Sequence, residues 1–120
     1  MPLNLDTYLG VSAQALKVQS QRMEVLADNL ANVDTPNYKA RDIDFNKALE
    51  AASSGNGTDV DQAARGALGY RVPLEVSLDG NTVELATEQT QFAENAVKYR
   101  TTLSFLEGRI NTIMTALRGE

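Results

Sequence analysis

Two pairs of carboxylates are the side chains of this chain that could do acid–base or metal chemistry. Asp42 and Asp44 stand two residues apart in an extended stretch, so they share one face and could act as an acid and a base. Solvent would select the same face, and we favour a solvated pair. Asp59 and Asp61 resemble the opening of a calcium loop, but the glycine and the terminal glutamate of such a loop are missing. Neither pair predicts a catalytic or metal site.

Composition narrows the chemistry further. The 120 residues include no histidine and no cysteine, which removes the usual zinc ligands, the thiol nucleophile and the neutral-pH general base. The net charge of -5 argues against a nucleic-acid surface or an anionic membrane surface. We therefore predict no enzyme activity, no cofactor, no metal, no nucleic-acid partner and no small-molecule substrate.

The polar segment from Leu26 to Lys39 has the strongest functional signal. Asn29, Asn32 and Thr35 stand where a helical pattern gives way to extended chain before Pro36. Their side chains can bind exposed backbone groups, either locally or on an adjoining subunit. The residue types alone favour a structural cap over an interface contact.

Two apolar ladders with heptad spacing bracket the chain and must position this segment. The C-terminal ladder predicts a helix over about residues 88–118 that ends at Gly119, and its members are Phe92, Ala96, Tyr99, Leu103, Leu106, Ile110, Ile113 and Leu117. The N-terminal ladder has the same spacing, and its members are Leu9, Ala13, Leu16, Ser20, Met23, Ala27 and Leu30, with Leu26 and Val33 widening the stripe. We expect the small residues Ala13, Ser20 and Ala27 to let the other helix approach closely. The ladders could pack within one chain, between subunits, or in both ways.

The expected fold is mainly α, with long N- and C-terminal helices in a coiled-coil-like pair, a small β-hairpin and a flexible linker. Residues 1–36 form the N-terminal helix and its capping segment, and residues 37–50 an extended segment with a weakly signalled helical turn from Phe45 to Ala52. Residues 51–69 are poor in large apolar side chains and predict a flexible linker. Residues 70–86 predict the hairpin, because apolar residues alternate before the turn sequence Asp79-Gly80-Asn81. Residues 87–120 form the C-terminal helix, and all five parts belong to one domain.

Targeting signals are not expected. The first basic residue is Lys17, and no continuous apolar core precedes a small-residue cleavage site. No stretch approaches the length of an apolar membrane span.

The polar segment also resembles a known family. Asn29, Leu30, Ala31 and Asn32, followed by Thr35-Pro36 and Tyr38-Lys39, are similar to the N-terminal signature of the bacterial flagellar rod, hook and hook-associated proteins. Many members have glycine where this chain has Asn37, and asparagine tolerates the same left-handed conformation. Three further stretches narrow the resemblance to proximal rod proteins, namely residues 40–45 (Ala-Arg-Asp-Ile-Asp-Phe), 78–83 (Leu-Asp-Gly-Asn-Thr-Val) and 105–110 (Phe-Leu-Glu-Gly-Arg-Ile).

The resemblance implies a structural subunit of the flagellar basal-body rod that serves motility by self-assembly. Its partners would be copies of itself, other rod proteins, the basal-body ring with its adaptor, and the flagellar type III export apparatus. It would leave the cell without a cleavable signal peptide and lie in the periplasm-spanning rod. A cytoplasmic coiled-coil adaptor or export chaperone would share the composition and the heptads, and stays open as an alternative.

Assembly would then use the ladders. The expected interface consists of Leu9, Leu16, Met23, Leu26, Leu30, Phe92, Tyr99, Leu103, Leu106, Ile110, Ile113 and Leu117. We expect the terminal ladders to gain order when neighbouring subunits cover them. We also expect the hairpin and residues 42–45 to make lateral contacts that set the register between subunits.

Overall fold

A computed structural model describes residues 5–54 and 59–119 of the chain. In chain order, helix α1 spans Leu5–Ala31, strand β1 Arg41–Ile43, helix α2 Phe45–Ser53, helix α3 Val60–Gly66, strand β2 Leu68–Tyr70 and helix α4 Leu85–Arg118. The predicted fold class is confirmed, with two long terminal helices and a small antiparallel strand pair. None of these helices is both long and apolar enough to cross a membrane.

The two long helices pack on each other in antiparallel directions. Asn29 of α1 donates to Glu88 near the start of α4. Asn95, which comes later in α4, donates to the carbonyl of Gln19, which comes earlier in α1. The predicted end of α4 is confirmed, because Gly119 adopts a left-handed conformation with φ of 74° at the C-cap. The terminal ladders therefore meet within one chain.

The small core lies on the other side of α1, against α2 and α3. Its buried members are Val18 of α1, Ile43 of β1, Ala48 of α2, and Ala64 and Ala67 at α3. Alanine supplies seven of the ten buried hydrophobic residues among those the structure describes. Side chains this small allow the three helices to approach closely, but each buries little apolar area.

The buried stripe of α1 differs from the predicted ladder. Its buried positions are Ala15, Val18, Gln19, Leu26 and Asn29, whereas Ala13, Ser20 and Ala27 are exposed. The expected close approach at those small residues is therefore wrong. Helix α1 packs against α4 on one side and against α2 and α3 on the other. The middle of its buried surface therefore lies between these two contacts instead of along the predicted ladder.

Residues 59–69 were predicted as the second half of a flexible linker, and they instead form α3 and β2. The carboxylates of Asp44 and Asp59 accept hydrogen bonds from the N–H groups of Lys47 (3.1 Å) and Gln62 (2.8 Å), and so cap the starts of α2 and α3. Alanine also has the highest helix propensity, which the linker interpretation overlooked. Helix α2 confirms the weakly signalled helical turn. Residues 55–58, which also fall in the predicted linker, lie outside the described residues.

The strand pair is not in the predicted place. β1 and β2 are antiparallel, with Arg41 opposite Tyr70 and Ile43 opposite Leu68, so Tyr70 alone of residues 70–86 is in a strand. Alternation predicts extended chain but does not identify its partner. Residues 71–84 form a loop whose two ends are held at Ala40, by the N–H of Arg71 (2.9 Å) and the hydroxyl of Thr82 (2.8 Å). Within it, residues 72–78 project outward, and we call them the apolar loop.

Candidate functional site

The side chain of Asn29 closes the outer edge of β1. Its amide donates to the carbonyl of Arg41 (2.6 Å) and accepts from the N–H of the same residue (3.1 Å), as a neighbouring strand would do. It also donates to the buried carboxylate of Glu88 at 3.0 Å. The next outward N–H of the strand, that of Ile43, donates to the carboxylate of Asp42 at 2.7 Å. The signature asparagine therefore joins α1, β1 and α4.

A chain of alternating charges surrounds this contact. The carboxylate of Glu88 is fully buried, with one oxygen 3.0 Å from Nε of Arg71 in a charge contact that lacks an aligned hydrogen bond. Arg71 also contacts Asp42 at 3.0 Å, and Arg22 binds the same carboxylate through two nitrogens at 2.8 and 3.0 Å. Arg22 further donates to Gln91 of α4 (2.8 Å). The hydrogen bond to Asp42 raises the pKa of Arg22 above its ordinary value.

This charge chain is suited to fixing geometry. Each of its two carboxylates lies against a guanidinium, and both arginines are mostly buried. A buried ion pair holds two elements in one arrangement, because separating the partners would leave an unpaired charge in the interior. Here the arrangement ties α4 to β1 and α1 through one arginine of the loop.

The turn that follows α1 is bound by a second asparagine. The amide of Asn81 donates to the carbonyls of Asn32 (2.9 Å), Val33 (2.9 Å) and Thr35 (2.8 Å). Its oxygen accepts from the N–H of Val83 at 2.7 Å. The loop before α4 therefore binds the backbone of the signature turn, and Asn81 itself is buried.

Asn37 and Gly80 complete that contact with two left-handed residues. Asn37 has φ of 64°, the left-handed conformation that asparagine tolerates, and its N–H donates to the carbonyl of Asp79 at 3.0 Å. Gly80 has φ of 76°, and a Cβ atom there would lie 2.4 Å from the side-chain oxygen of Asn37. Hydrogen bonds from the hydroxyl of Ser77 and from the N–H of Asn81 lower the pKa of Asp79 below its ordinary value.

The remaining signature residues frame the same turn. Asn32 donates to the carbonyl of Asp28 (2.8 Å), which is the capping role predicted for this stretch, and Thr35 donates to Asn32 (3.0 Å). Lys39 donates to the carbonyl of Gly80 and Tyr38 accepts from the N–H of Thr82. Leu30 and Tyr38 are half-buried, while Ala31, Thr35, Pro36 and Lys39 are exposed.

The structure divides the expected assembly residues into three groups. Leu26 is fully buried inside the chain and belongs to its interior. The half-buried members are Leu9, Leu16, Met23, Leu30, Phe92, Tyr99, Leu103, Leu106 and Ile113. Ile110 is 39% exposed and Leu117 is 80% exposed, so the apolar stripe of α4 becomes uncovered toward its end.

The C-terminal end of α4 extends past α1. The contacts between residues 29 and 88, 22 and 91, and 19 and 95 place Leu5, the first described residue of α1, opposite about residue 109. Residues 110–118 therefore extend roughly 13 Å further at 1.5 Å per residue. We call them the overhang. No described residue of α1 lies opposite the overhang, although Ile110, Met114 and Leu117 are apolar.

The acidic pairs have structural positions. Asp42 belongs to the charge chain, where we had expected solvent, and Asp44 and Asp59 cap helices. Asp61 contacts Lys17 at 3.6 Å and accepts from Gln21. Within residues 5–54 and 59–119, no cluster of three acidic side chains could hold a metal ion.

Sequence reasoning missed the partners that these residues bind. Glu88 was predicted only near the start of a helix, and Arg71 only within the hairpin of residues 70–86. Asn81 was noticed as a turn residue in a stretch that carries the family resemblance, and this was the one available signal. Glu88 and Asn29 are 59 positions apart, so no local pattern can pair them.

Comparison with known proteins places these features in a family. The sequence profile described as "Flagella basal body rod protein" matches residues 9–39, which include the signature. A flagellar basal body rod protein FlgB of Cereibacter sphaeroides is 51% identical over 93% of this chain and 94% of its own length. The FlgB proteins of Aeromonas hydrophila and Escherichia coli are each 39% identical, over 100% and 95% of this chain and 99% and 95% of their own lengths. The chain therefore belongs to the FlgB family of flagellar basal body rod proteins.

Proposed function

We propose that this protein is a structural subunit of the flagellar basal-body rod and that its terminal helices carry the assembly contacts. Similarity over nearly the whole length to proteins named for the rod supports the first statement. It also argues against the cytoplasmic adaptor or export chaperone. The protein would work by binding neighbours rather than by catalysis.

The uncovered end of α4 is the observation that carries the second statement. Within one chain, α1 covers the ladder of α4 as far as Leu106, and the overhang presents Ile110, Met114 and Leu117 to solvent. An apolar heptad stripe is stable in water when another helix packs against it. A neighbouring subunit that lays its own helices along the overhang would supply that cover. The half-buried edge of the helix pair, which includes Leu9, would contribute the flank of the same contact.

The partners follow from this role. Besides copies of itself and other rod proteins, we propose contacts with the basal-body ring and its adaptor, and delivery by the flagellar type III export apparatus without a cleavable signal peptide. The absence of cysteine is compatible with such a route, since no disulfide has to form after export. The subunit would then lie in the part of the rod that crosses the periplasm.

Serine substitutions in the overhang test the proposal. Ile110→Ser together with Leu117→Ser should leave the folding of the isolated subunit unchanged, because both side chains are exposed in it. We expect the variant to be produced and secreted but absent from purified basal bodies, with motility lost. Asn111→Ser, an exposed polar change in the same overhang, is the matched control. Normal basal bodies containing the double variant would contradict the proposed role of the overhang.

A further inference from the structure

The apolar loop presents four aliphatic side chains to solvent at alternate positions. Val72, Leu74, Val76 and Leu78 are each at least 83% exposed. At roughly 100 Å² of apolar area per Val or Leu side chain, they expose about 400 Å² in total along a segment that bends at Leu74 and Glu75, and apolar surface of this extent is often functional on soluble proteins. The loop is held at its base by Arg71 and Thr82. It therefore presents this patch at a fixed place on the molecule.

Among the residues that the structure describes, one strand edge is open. The N–H groups of Arg71 and Asp44 bond across the strand pair to the carbonyls of Ala40 (2.9 Å) and Ala67 (3.1 Å). Alternate residues of an antiparallel ladder face the partner strand, so Leu68 and Tyr70 direct their N–H and C=O groups away from β1. These four backbone groups have no hydrogen-bond partner within residues 5–54 and 59–119.

The two edges of the strand pair thus differ. Asn29 and Asp42 close the outer edge of β1, whereas the outer edge of β2 is open. Pro73 has no N–H, but it continues the series of alternate residues, Gly69 and Arg71, whose backbone groups are directed toward β1. It therefore does not interrupt the open edge. An unpaired edge of this kind accepts an extended segment from another chain.

A groove beside the open edge has the side chains to receive the apolar loop. Its volume is about 490 Å³, and its lining includes Ile43, Phe45, Ala67, Tyr70 and Lys98. Of the other charged residues that line it, Arg22 and Asp42 bind each other and Asp44 caps α2. Lys98 has no carboxylate partner among the described residues. Glu75, in the middle of the apolar loop, is exposed and has the opposite charge.

We propose that the apolar loop of one copy of this chain adds to the open edge of β2 in a second copy, with Glu75 placed against Lys98. This inference rests on the proposed function and names one partner and one surface for it. The donor and acceptor surfaces are different parts of the molecule, so the contact is heterologous. Such a contact can repeat from subunit to subunit in an open array instead of closing as a dimer.

Cross-linking between two single-cysteine variants tests the contact, since the natural chain has no cysteine. A donor with Val76→Cys is mixed with an acceptor with Asn46→Cys, whose exposed side chain lines the groove, and a short bifunctional maleimide is added. We expect a cross-linked heterodimer that exceeds the product from a Val11→Cys donor, because Val11 is another exposed valine but lies on α1.

Charge reversal on separate chains then tests the pairing. Glu75→Lys in the donor alone, or Lys98→Glu in the acceptor alone, should lower the cross-linked yield about threefold, the range of one surface charge pair. Combining the two reversed chains should restore it. The proposal would be overturned if the Val76→Cys donor gave no more cross-linked heterodimer than the Val11→Cys control, or if it gave as much Val76→Cys homodimer as heterodimer. It would also be overturned if the combined charge reversals failed to restore the yield. If the overhang variant loses motility but none of these cross-links forms, the result would support the rod function and reject this contact.

Discussion

The guanidinium of Arg71 lies 3.0 Å from the fully buried carboxylate of Glu88. These residues belong to the loop after β2 and to the first turn of α4, so the contact fixes where the second long helix begins relative to the strand pair. We expect Arg71→Ala to lower the free energy of unfolding by about 3–5 kcal/mol, because it leaves a buried charge unpaired. Arg71→Lys should lose less, since it keeps the charge. Urea unfolding followed by circular dichroism measures both changes.

Arg100→Ala is the control for that substitution. Arg100 is an exposed arginine of α4, and its removal should change the free energy of unfolding by less than about 0.5 kcal/mol. If Arg71→Ala and Arg100→Ala lower the free energy of unfolding equally, the buried charge chain contributes no more to stability than an exposed arginine does.

Two glycines offer a matched test of the signature turn. Gly80→Ala places a Cβ atom 2.4 Å from the side-chain oxygen of Asn37 and forces a left-handed alanine, so it should lower the free energy of unfolding by at least about 1 kcal/mol. Gly108→Ala, in the middle of α4 with open space around it, should raise the same quantity by about 0.5–1 kcal/mol. Thermal unfolding of the two variants decides, and a stabilised Gly80→Ala protein would contradict the left-handed turn.

Replacing Asn29 with aspartate should make stability depend on pH in a defined direction. The amide nitrogen of Asn29 is 3.0 Å from the carboxylate of Glu88. A second carboxylate at this place should therefore raise the pKa of the introduced aspartate in the folded state above its unfolded value of about 3.9. A raised folded-state pKa means that the variant is close to the natural protein at low pH and becomes less stable as pH rises through that pKa.

The measurement is the difference in free energy of unfolding between Asn29→Asp and the natural protein at pH 4 and at pH 7. The difference should be larger at pH 7. Asn46→Asp, an exposed change in the first turn of α2, should show no such increase. A difference that shrinks toward pH 7 would place Asn29 away from the carboxylate of Glu88.

Amide hydrogen exchange tests the order of the overhang. In dilute monomer, the amides of residues 110–118 should exchange faster than those of residues 88–99, because α1 covers only the latter stretch. On assembly the overhang should become protected. Full protection of both stretches in the monomer would count against our expectation that ordering of the helix end is coupled to subunit contact.

The apolar loop gives a separate assembly prediction. Val76→Ser with Leu78→Ser should cost the monomer almost no stability, since both side chains are exposed, and should leave secretion intact while reducing rod assembly. Val11→Ser, an exposed valine of α1, is the control. Unchanged basal-body yield and motility in the double variant would remove the loop from the assembly contacts.

The sequence was most informative where structure depends on neighbours along the chain. The heptad ladder predicted α4 and its glycine cap, because helical periodicity is local. The strand pair joins residues 25 to 29 positions apart in the sequence, and no local pattern contains that pairing. The capping aspartates Asp44 and Asp59 were visible signals for α2 and α3, but the alanines that follow them lacked the large apolar side chains by which we recognised a core.

The signature shows the same division. Its capping function was predicted for the helix end, and Asn32 performs it. Asn29 instead caps a strand and meets a buried glutamate of the other long helix, an arrangement that exists only after the chain has folded. The alternating residues of the apolar loop predicted a hairpin strand, which is wrong, and their exposure could be learned only from the structure.

An interior lined mainly by the methyl groups of alanine buries little apolar area, so little hydrophobic stabilisation is lost when the chain is unfolded by force. Such a fold offers weak mechanical resistance, and a modest force should be enough to unravel it. If the subunit is delivered through an export channel, as we propose, an interior of this kind makes threading easier, and lasting rigidity would come from contacts with the neighbouring subunits.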